Sequence, residues 1–387
     1  MTETKTEPVP EPVKRSPTPA SSIWTKVGVI ALLAVVAVMI GLVMRADATN
    51  HDFISYWSTA KLMAARANPY DAPAILHLEN AAGGHYARPF IMRNPPWALF
   101  LVLPLGWLPV PLAGVLWTLS IVAAAVVSVV LLRPGWMEQV PLNAWFFAPA
   151  MMCVAAGQTA TFLLLGVSLF LHFERRRPFV AGLALLLPAM KPHLFFLFWP
   201  LLLLECWRRR SFLVLGGLAL GIALATAFAM AFDPHVWAHY AAALRGEDIG
   251  RQFLPNLACS LRALDPKAVW LQGIPTVVGL AVALWFWARH RRGWEWQRDG
   301  AMIFGASALT APYSWPTDLA LFLPAVLRGY RDIGKATVAV LTALNVAAIL
   351  VAIRHPLMTP WAYVWMGPAW FLWCRWAGRR QESGIRD

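Results

Sequence analysis

Three residues of this chain stand apart chemically from what surrounds them. Asp52 opens the stretch His51-Asp52-Phe53-Ile54-Ser55-Tyr56-Trp57. A carboxylate in a partly dehydrated cavity can take a proton from a hydroxyl as a general base. Asp also favours the N-cap of a helix, so local sequence leaves both roles open. Lys191 interrupts an apolar stretch from Leu183 to Trp199. A lysine at membrane depth calls for a negative partner or a functional role, and a phosphate would serve. A snorkelling lysine at a Pro-kinked tip is the plainer alternative. Asp318, two residues after Pro316, suits either a helix cap or a charge pair. Gln158 after Gly157 suits a helix terminus or a ligand contact. Arg245, Arg251 and Gln252 suit a phosphate or a sugar, or plain solvation in a loop.

Other chemistries find little support. His235 and His239, after Asp233-Pro234, have metal-ligand spacing, but Asp233 is the one acidic residue near them, so an interfacial helix is the better reading. The 4 Cys show no paired spacing, which argues against a disulfide framework or a zinc site. No P-loop, dinucleotide fingerprint, Ser-His-Asp order or DxD-like motif appears, so a soluble nucleotide donor is not suggested. Neither a metal nor a cofactor is expected.

The elements that must position these residues follow from composition. The chain has 387 residues, 59% hydrophobic and only 14% charged, with mean hydropathy +0.55. Soluble domains run at about 25% charged, so this is an all-α polytopic membrane protein. Its net charge of +13 reads as topology rather than as a nucleic-acid surface. The 21 Trp fit interfacial belts.

Residues 1–22 form a Pro-rich disordered cytoplasmic tail, and Trp24 to Met44 an uncleaved signal anchor. The membrane domain is expected to run over 23–376, with a second cytoplasmic tail at 377–387. An outer loop spans 45–94. Within it, 53–66 reads as an amphipathic helix along the interface, with Phe53, Tyr56, Trp57, Ala60 and Ala64 on one face. Placing the Arg clusters at 175–177, 208–210, 289–292, 328–335 and 375–380 inside sets the rest. Segments 141–173 and 178–207 then go out and return, breaking at Gly157-Gln158 and Lys191-Pro192. Segment 96–132 divides into a short half-helix and a span, and 233–267 is a second outer loop. The result is about 12 crossings with both termini inside. Segments 300–311 and 316–328 would be only ~18–20 Å long, against a hydrocarbon core of ~30 Å. Their tips would therefore sit below the outer surface, where irregular backbone must be buried or line a wet cavity. The expectation is an outward-facing cavity floored by the tips of broken helices. The same parity gathers Asp52, the 68–71 turn, Arg93-Asn94-Pro95-Pro96, Gln158, Lys191, His193, the 233–256 loop, Tyr313, Trp315 and Asp318 on the outer side.

These residues also come in a telling order. Asp52-Phe53 with Tyr56 precedes Asn68-Pro69-Tyr70-Asp71, then Asn94-Pro95-Pro96 with Pro104-Leu105, then Gly157-Gln158. Ala181-Gly182-Leu183 runs on to Lys191-Pro192, followed by Trp237 and Tyr240, Asn256 before Leu261, and Pro312-Tyr313-Ser314-Trp315. Over roughly residues 25–370 the chain resembles the bacterial GT-C membrane glycosyltransferases of family 87, the polyprenol-phosphate-mannose-dependent mannosyltransferases. The resemblance implies a GT-C-like bundle. It implies transfer of a hexose, with inversion, from a polyprenyl-phosphate donor to a glycolipid or glycan acceptor on the outer face of the inner (plasma) membrane. Asp52 matches the family's general base. Lys191-Pro192 matches its Lys-Pro tip, to which we add a donor-phosphate role. Gln158, His193, Arg251, Asn256, Trp315, Asp318 and Tyr56 become candidate contacts to the donor's phosphate or sugar. Members often carry a His shortly after the Ser-x-Trp-like element, whereas here Pro316-Thr317-Asp318 follow. A transporter or lipid-linked-sugar flippase is the rival reading. It would need a polar route to both faces, and here the polar residues concentrate on one.

Overall fold

The computed structural model describes residues 51–133, 140–246, 253–330, 334–355 and 360–383. The expected tail 1–22, the signal anchor 24–44 and Arg251 lie outside the described residues. The regular structure among them is helical, with no strand. Four helices are long and apolar enough to cross a membrane: Val110–Leu132, Leu213–Phe232, Val269–Gly293 and Lys335–Arg354. Each contains a long, mostly apolar run of the sequence. The four described Cys are buried and free.

Between these long helices the chain runs in short, interrupted ones, and Gly and Pro set the interruptions. Pro95 and Pro96 start a brief helical stretch, Pro96–Trp107, that ends before Pro109, where Val110–Leu132 begins. Gly157 ends the helix Ala148–Ala156 in the left-handed region, φ 70, and Ala160–Phe173 runs on beyond it. Only glycine takes that conformation without a steric penalty. Pro188 and Pro192 bracket the break at Lys191, between Pro178–Ala184 and Phe198–Arg209. Pro312 and Pro316 bracket the break between Ala301–Thr310 and the returning turns Pro316–Phe322 and Leu323–Gly329. Every candidate at a tip therefore sits where a helix has been forced to stop. The last helix, Met366–Ser383, continues past the boundary at 376 expected from sequence.

The helix that carries Asp52, His51–Ala64, differs most from expectation. Its residues 53–60 are buried around the whole circumference rather than along one face. Ser55 and Ser58 make this possible, because their hydroxyls donate back to the carbonyls of Asp52 (2.8 Å) and Ser55 (3.2 Å), so little polarity is left unmet. Gly106 sits hard against this helix. A Cβ there would lie 2.2 Å from the Ala60 carbonyl oxygen. Gly106→Ala is therefore expected to force the two segments apart at a cost of about 1–3 kcal/mol. Thermal unfolding of the detergent-solubilised protein reads the loss, and activity should fall with it as Asp52 moves.

The segment after this helix is held by a cap and a buried acid. Asp71 caps Ala72–Ala81, accepting from Ala74 N at 3.0 Å. Glu79 is fully buried, and both its oxygens accept the Phe90 N–H at 3.2 Å. Burial pushes its carboxyl from 4.5 up to about 7, against the pull of that N–H. An unfolded chain ionises this group near 4.5 and the folded one near 7, so stability falls as pH rises through that window. Glu79→Gln removes the penalty. Its melting temperature relative to wild type should climb between those two values and level off above them; a pH-independent difference would contradict the assignment.

At the helix ends opposite the Gly157 and Lys191 breaks, ion pairs tie three helices together. Glu205 is buried and accepts from Arg208, Arg209 and Trp287 Nε1, the last at 3.1 Å. Arg209 also reaches Glu174 at 3.6 Å, at the end of Ala160–Phe173.

Candidate functional site

The interrupted helices bring their broken ends together, and the polar candidates meet there. Lys191 Nζ lies 3.1 Å from Asp318 Oδ1 and donates to Gln158 Oε1 at 3.2 Å. Tyr56 OH donates to the same Gln158 oxygen at 3.3 Å. Lys191, Gln158, Asp318 and Tyr56 are all buried. Asp318 is fixed by its own backbone, since its other oxygen accepts the Trp315 N–H at 2.8 Å, capping the turns that begin at Pro316. Its charge is thus fully engaged. The ammonium has three donors, and two are committed here.

Asp52 stands beside this cluster. It is half-buried in the first described turn of His51–Ala64, and it lies close enough to Tyr56 for its charge to act on the phenol. Tyr56 packs its ring 5.2 Å from that of Trp117, and Trp117 Nε1 donates to the Gly157 carbonyl at 2.7 Å. A Cβ on Gly157 would meet Phe53 Cβ at 3.1 Å. The Asp52 helix, the Val110–Leu132 helix and the Gly157 break are therefore packed as one unit. Gln158 is held at a fixed distance from the aspartate helix.

On the far side of Lys191 the site is closed by the Tyr313–Trp315 loop. Trp315 Nε1 donates to Tyr313 OH at 3.3 Å, and Arg93 donates to the same oxygen at 3.3 Å. His193 meets the Tyr313 ring edge-on at 5.5 Å, and its Nε2 is buried with no partner among the described residues. Asn256 caps Leu257–Arg262, accepting from Cys259 N at 2.7 Å, and its amide donates to the Ser314 carbonyl at 3.2 Å. Of the expected residues, the structure connects Tyr56, Gln158, Lys191 and Asp318 directly, and joins Trp315, His193 and Asn256 through the Tyr313 loop.

Arg93, Asn94 and Tyr313 were placed on the expected outer side by sequence but given no role. Asn94 Nδ2 donates to the Met190 carbonyl at 2.9 Å, and its own carbonyl accepts Tyr70 OH at 3.1 Å. Tyr240 OH donates to the Arg93 carbonyl at 3.3 Å. The Arg93-Asn94-Pro95-Pro96 turn therefore braces the Lys191 tip against the 68–71 turn and the helix Val236–Gly246. The one sequence signal of this was the tight Asn-Pro-Pro run, which marks a rigid turn but not its neighbours. His239 and Asp233 form a separate contact, Nδ1 to Oδ2 at 2.6 Å, with the other Asp233 oxygen accepting the His235 N–H at 3.0 Å. Among the described residues no group of three His, Cys, Asp or Glu could hold a metal ion.

A cluster of this kind can bind an anion beside a neutral amide and set a carboxylate opposite it. The family model described as glycosyltransferase family 87 matches residues 90–312, more than half of the chain. The matched stretch contains Gln158, Lys191, His193 and Asn256, and leaves Asp52, Trp315 and Asp318 outside. No curated protein and no solved structure matches the chain.

Proposed function

Given that the chain belongs to glycosyltransferase family 87 and is a membrane glycosyltransferase, we propose that it moves a hexose, mannose favoured, from a polyprenyl-phosphate donor to a glycolipid or glycan acceptor. The observation that carries this reading is the meeting of Lys191, Gln158 and Asp318 from three separate helix breaks, with Asp52 next to them through Tyr56. The acceptor hydroxyl oxygen attacks the anomeric carbon, and its proton passes to the Asp52 carboxylate. The bond from that carbon to the phosphate oxygen breaks, and its electron pair leaves with the polyprenyl phosphate. A single displacement inverts the anomeric centre. Polyprenyl phosphate is a good leaving group, so the protein needs a base on the acceptor side and donors on the phosphate side. Lys191 keeps one N–H for that task, and Trp315, His193, Asn256 and Arg251 complete the donor's surroundings.

The chain sits in the inner (plasma) membrane in a GT-C-like bundle of about 12 segments. Both termini are cytoplasmic, and a cavity holding the cluster opens outward. The burial of the cluster at the ends of short helices supports this arrangement. The test is to incubate the purified protein with several polyprenyl-phosphate sugars and a membrane lipid extract, and to identify the product by mass spectrometry. Transfer from a lipid-phosphate hexose is expected. Transfer from nucleotide sugars alone would overturn the donor class.

A further inference from the structure

Gln158 is oriented by its neighbours in a way that leaves one end without work inside the protein. Its carbonyl oxygen accepts from Tyr56 OH at 3.3 Å and from Lys191 Nζ at 3.2 Å. An amide oxygen has two lone pairs, so both are used. The opposite orientation is excluded, because an ammonium group has no acceptor and would face the amide N–H groups donor to donor. The NH2 end must therefore point away from Tyr56 and Lys191. Among the described residues it has no hydrogen-bond partner, although Gln158 is only 7% exposed. The amide nitrogen is not sealed off, whereas Thr317 Oγ1, next to Asp318 in the chain, and His193 Nε2, two residues beyond Lys191, are enclosed without partners. Buried polar atoms left unmet, like these two, are the exception in folded proteins.

We propose that the Gln158 NH2 group and the third N–H of Lys191 together hold a phosphate oxygen of the lipid-linked donor, and that Tyr56 is the positioning residue that turns the amide toward it. This rests on the donor class proposed above. A pair of donors of which one is cationic matches an oxyanion better than a neutral hydroxyl. The nearest carboxylate, Asp318, does not compete for the amide, since its oxygens are taken by Lys191 and the Trp315 N–H.

Gln158→Glu separates this role from a merely bridging one. Glutamate keeps an oxygen for Tyr56 and Lys191 but puts a second oxygen where the NH2 was. In a merely bridging residue the added charge would lower the melting temperature but leave donor KM unchanged in the protein that still folds. In a phosphate contact kcat/KM should fall roughly 100-fold, mostly through donor KM. Tyr56→Phe should raise donor KM by about 10-fold with kcat little changed, and should add almost nothing on top of Gln158→Glu, because both act on one contact. Affinity for sugar-free polyprenyl phosphate, measured by competition, tells phosphate from sugar. It should drop in Gln158→Glu in step with the donor KM. Wild-type affinity for the sugar-free carrier in a variant that has lost the full donor would move the contact to the sugar and overturn the assignment, as would wild-type kcat/KM in Gln158→Glu. If that variant does not fold, an unchanged donor KM in Tyr56→Phe overturns it. Wild-type protein that neither binds the carrier nor uses a lipid-phosphate sugar brings down the donor reading itself, before any variant is made.

Discussion

Asp52→Asn should abolish glycosyl transfer, with kcat reduced on the order of 10³–10⁴-fold, while the protein stays folded and binds polyprenyl phosphate as before. The size follows from the role: a positioned base contributes roughly 10²–10⁴ to a proton-coupled step, and Asn has the shape of Asp but cannot accept the proton. The folding half of the prediction follows from position. Asp52 is half-buried at the start of a helix whose packing is carried by Phe53, Ile54, Tyr56, Trp57 and Ala60. None of those contacts changes when an oxygen becomes an NH2. The readings are product formation by mass spectrometry, melting temperature, and competition with the sugar-free carrier. Full activity in Asp52→Asn would remove the residue from the mechanism. Loss of activity together with collapse of the melting temperature would make it structural.

The second large effect concerns Lys191 and Asp318, 3.1 Å apart and both buried. Removing one partner leaves the other charge without compensation, at about 3–5 kcal/mol. Lys191→Met strands the Asp318 carboxylate, and Asp318→Asn strands the Lys191 ammonium. Each single variant should melt far below wild type. The double variant has no buried charge at this point and should recover much of the lost stability, because neutral replacement of a buried pair is often close to neutral. Activity separates two meanings of the pair. A stable but inactive double variant means that the donor needs a charged group of this pair. A stable and active one means that the pair only ties two tips together, and the phosphate role of Lys191 fails.

Much of the scaffold could be read from sequence because its signals are local. Runs such as Val110–Leu132 and Leu213–Phe232 announce themselves by length and apolarity. The breaks at Gly157, Lys191-Pro192 and Pro312 to Pro316 are written in the two residues that helices tolerate least. The site was legible only as a set of residues sharing one side. That Lys191 chooses Asp318 depends on how distant hairpins dock, and no periodicity carries that. The full burial of the Asp52 helix is hidden from the sequence for a related reason. Phe53, Tyr56, Trp57, Ala60 and Ala64 mark one apolar face, and nothing local shows that Ser55, Ser58 and Thr59 are covered as well. Ser55 and Ser58 turn their hydroxyls back on the helix carbonyls, and all three positions are buried. Arg93 and Tyr313 were missed because their contact spans 220 positions of sequence.

The same separation has a consequence for biogenesis. Lys191 and its carboxylate are 127 positions apart. At about 5–20 residues per second, the ribosome makes the lysine roughly 6–25 s before the aspartate that neutralises it. During that interval the nascent hairpin around Pro192 carries an unmatched ammonium, which must be met by water, by lipid headgroups or by polar surfaces of the insertion machinery. A ribosome that stops short of Asp318 leaves that charge without its carboxylate.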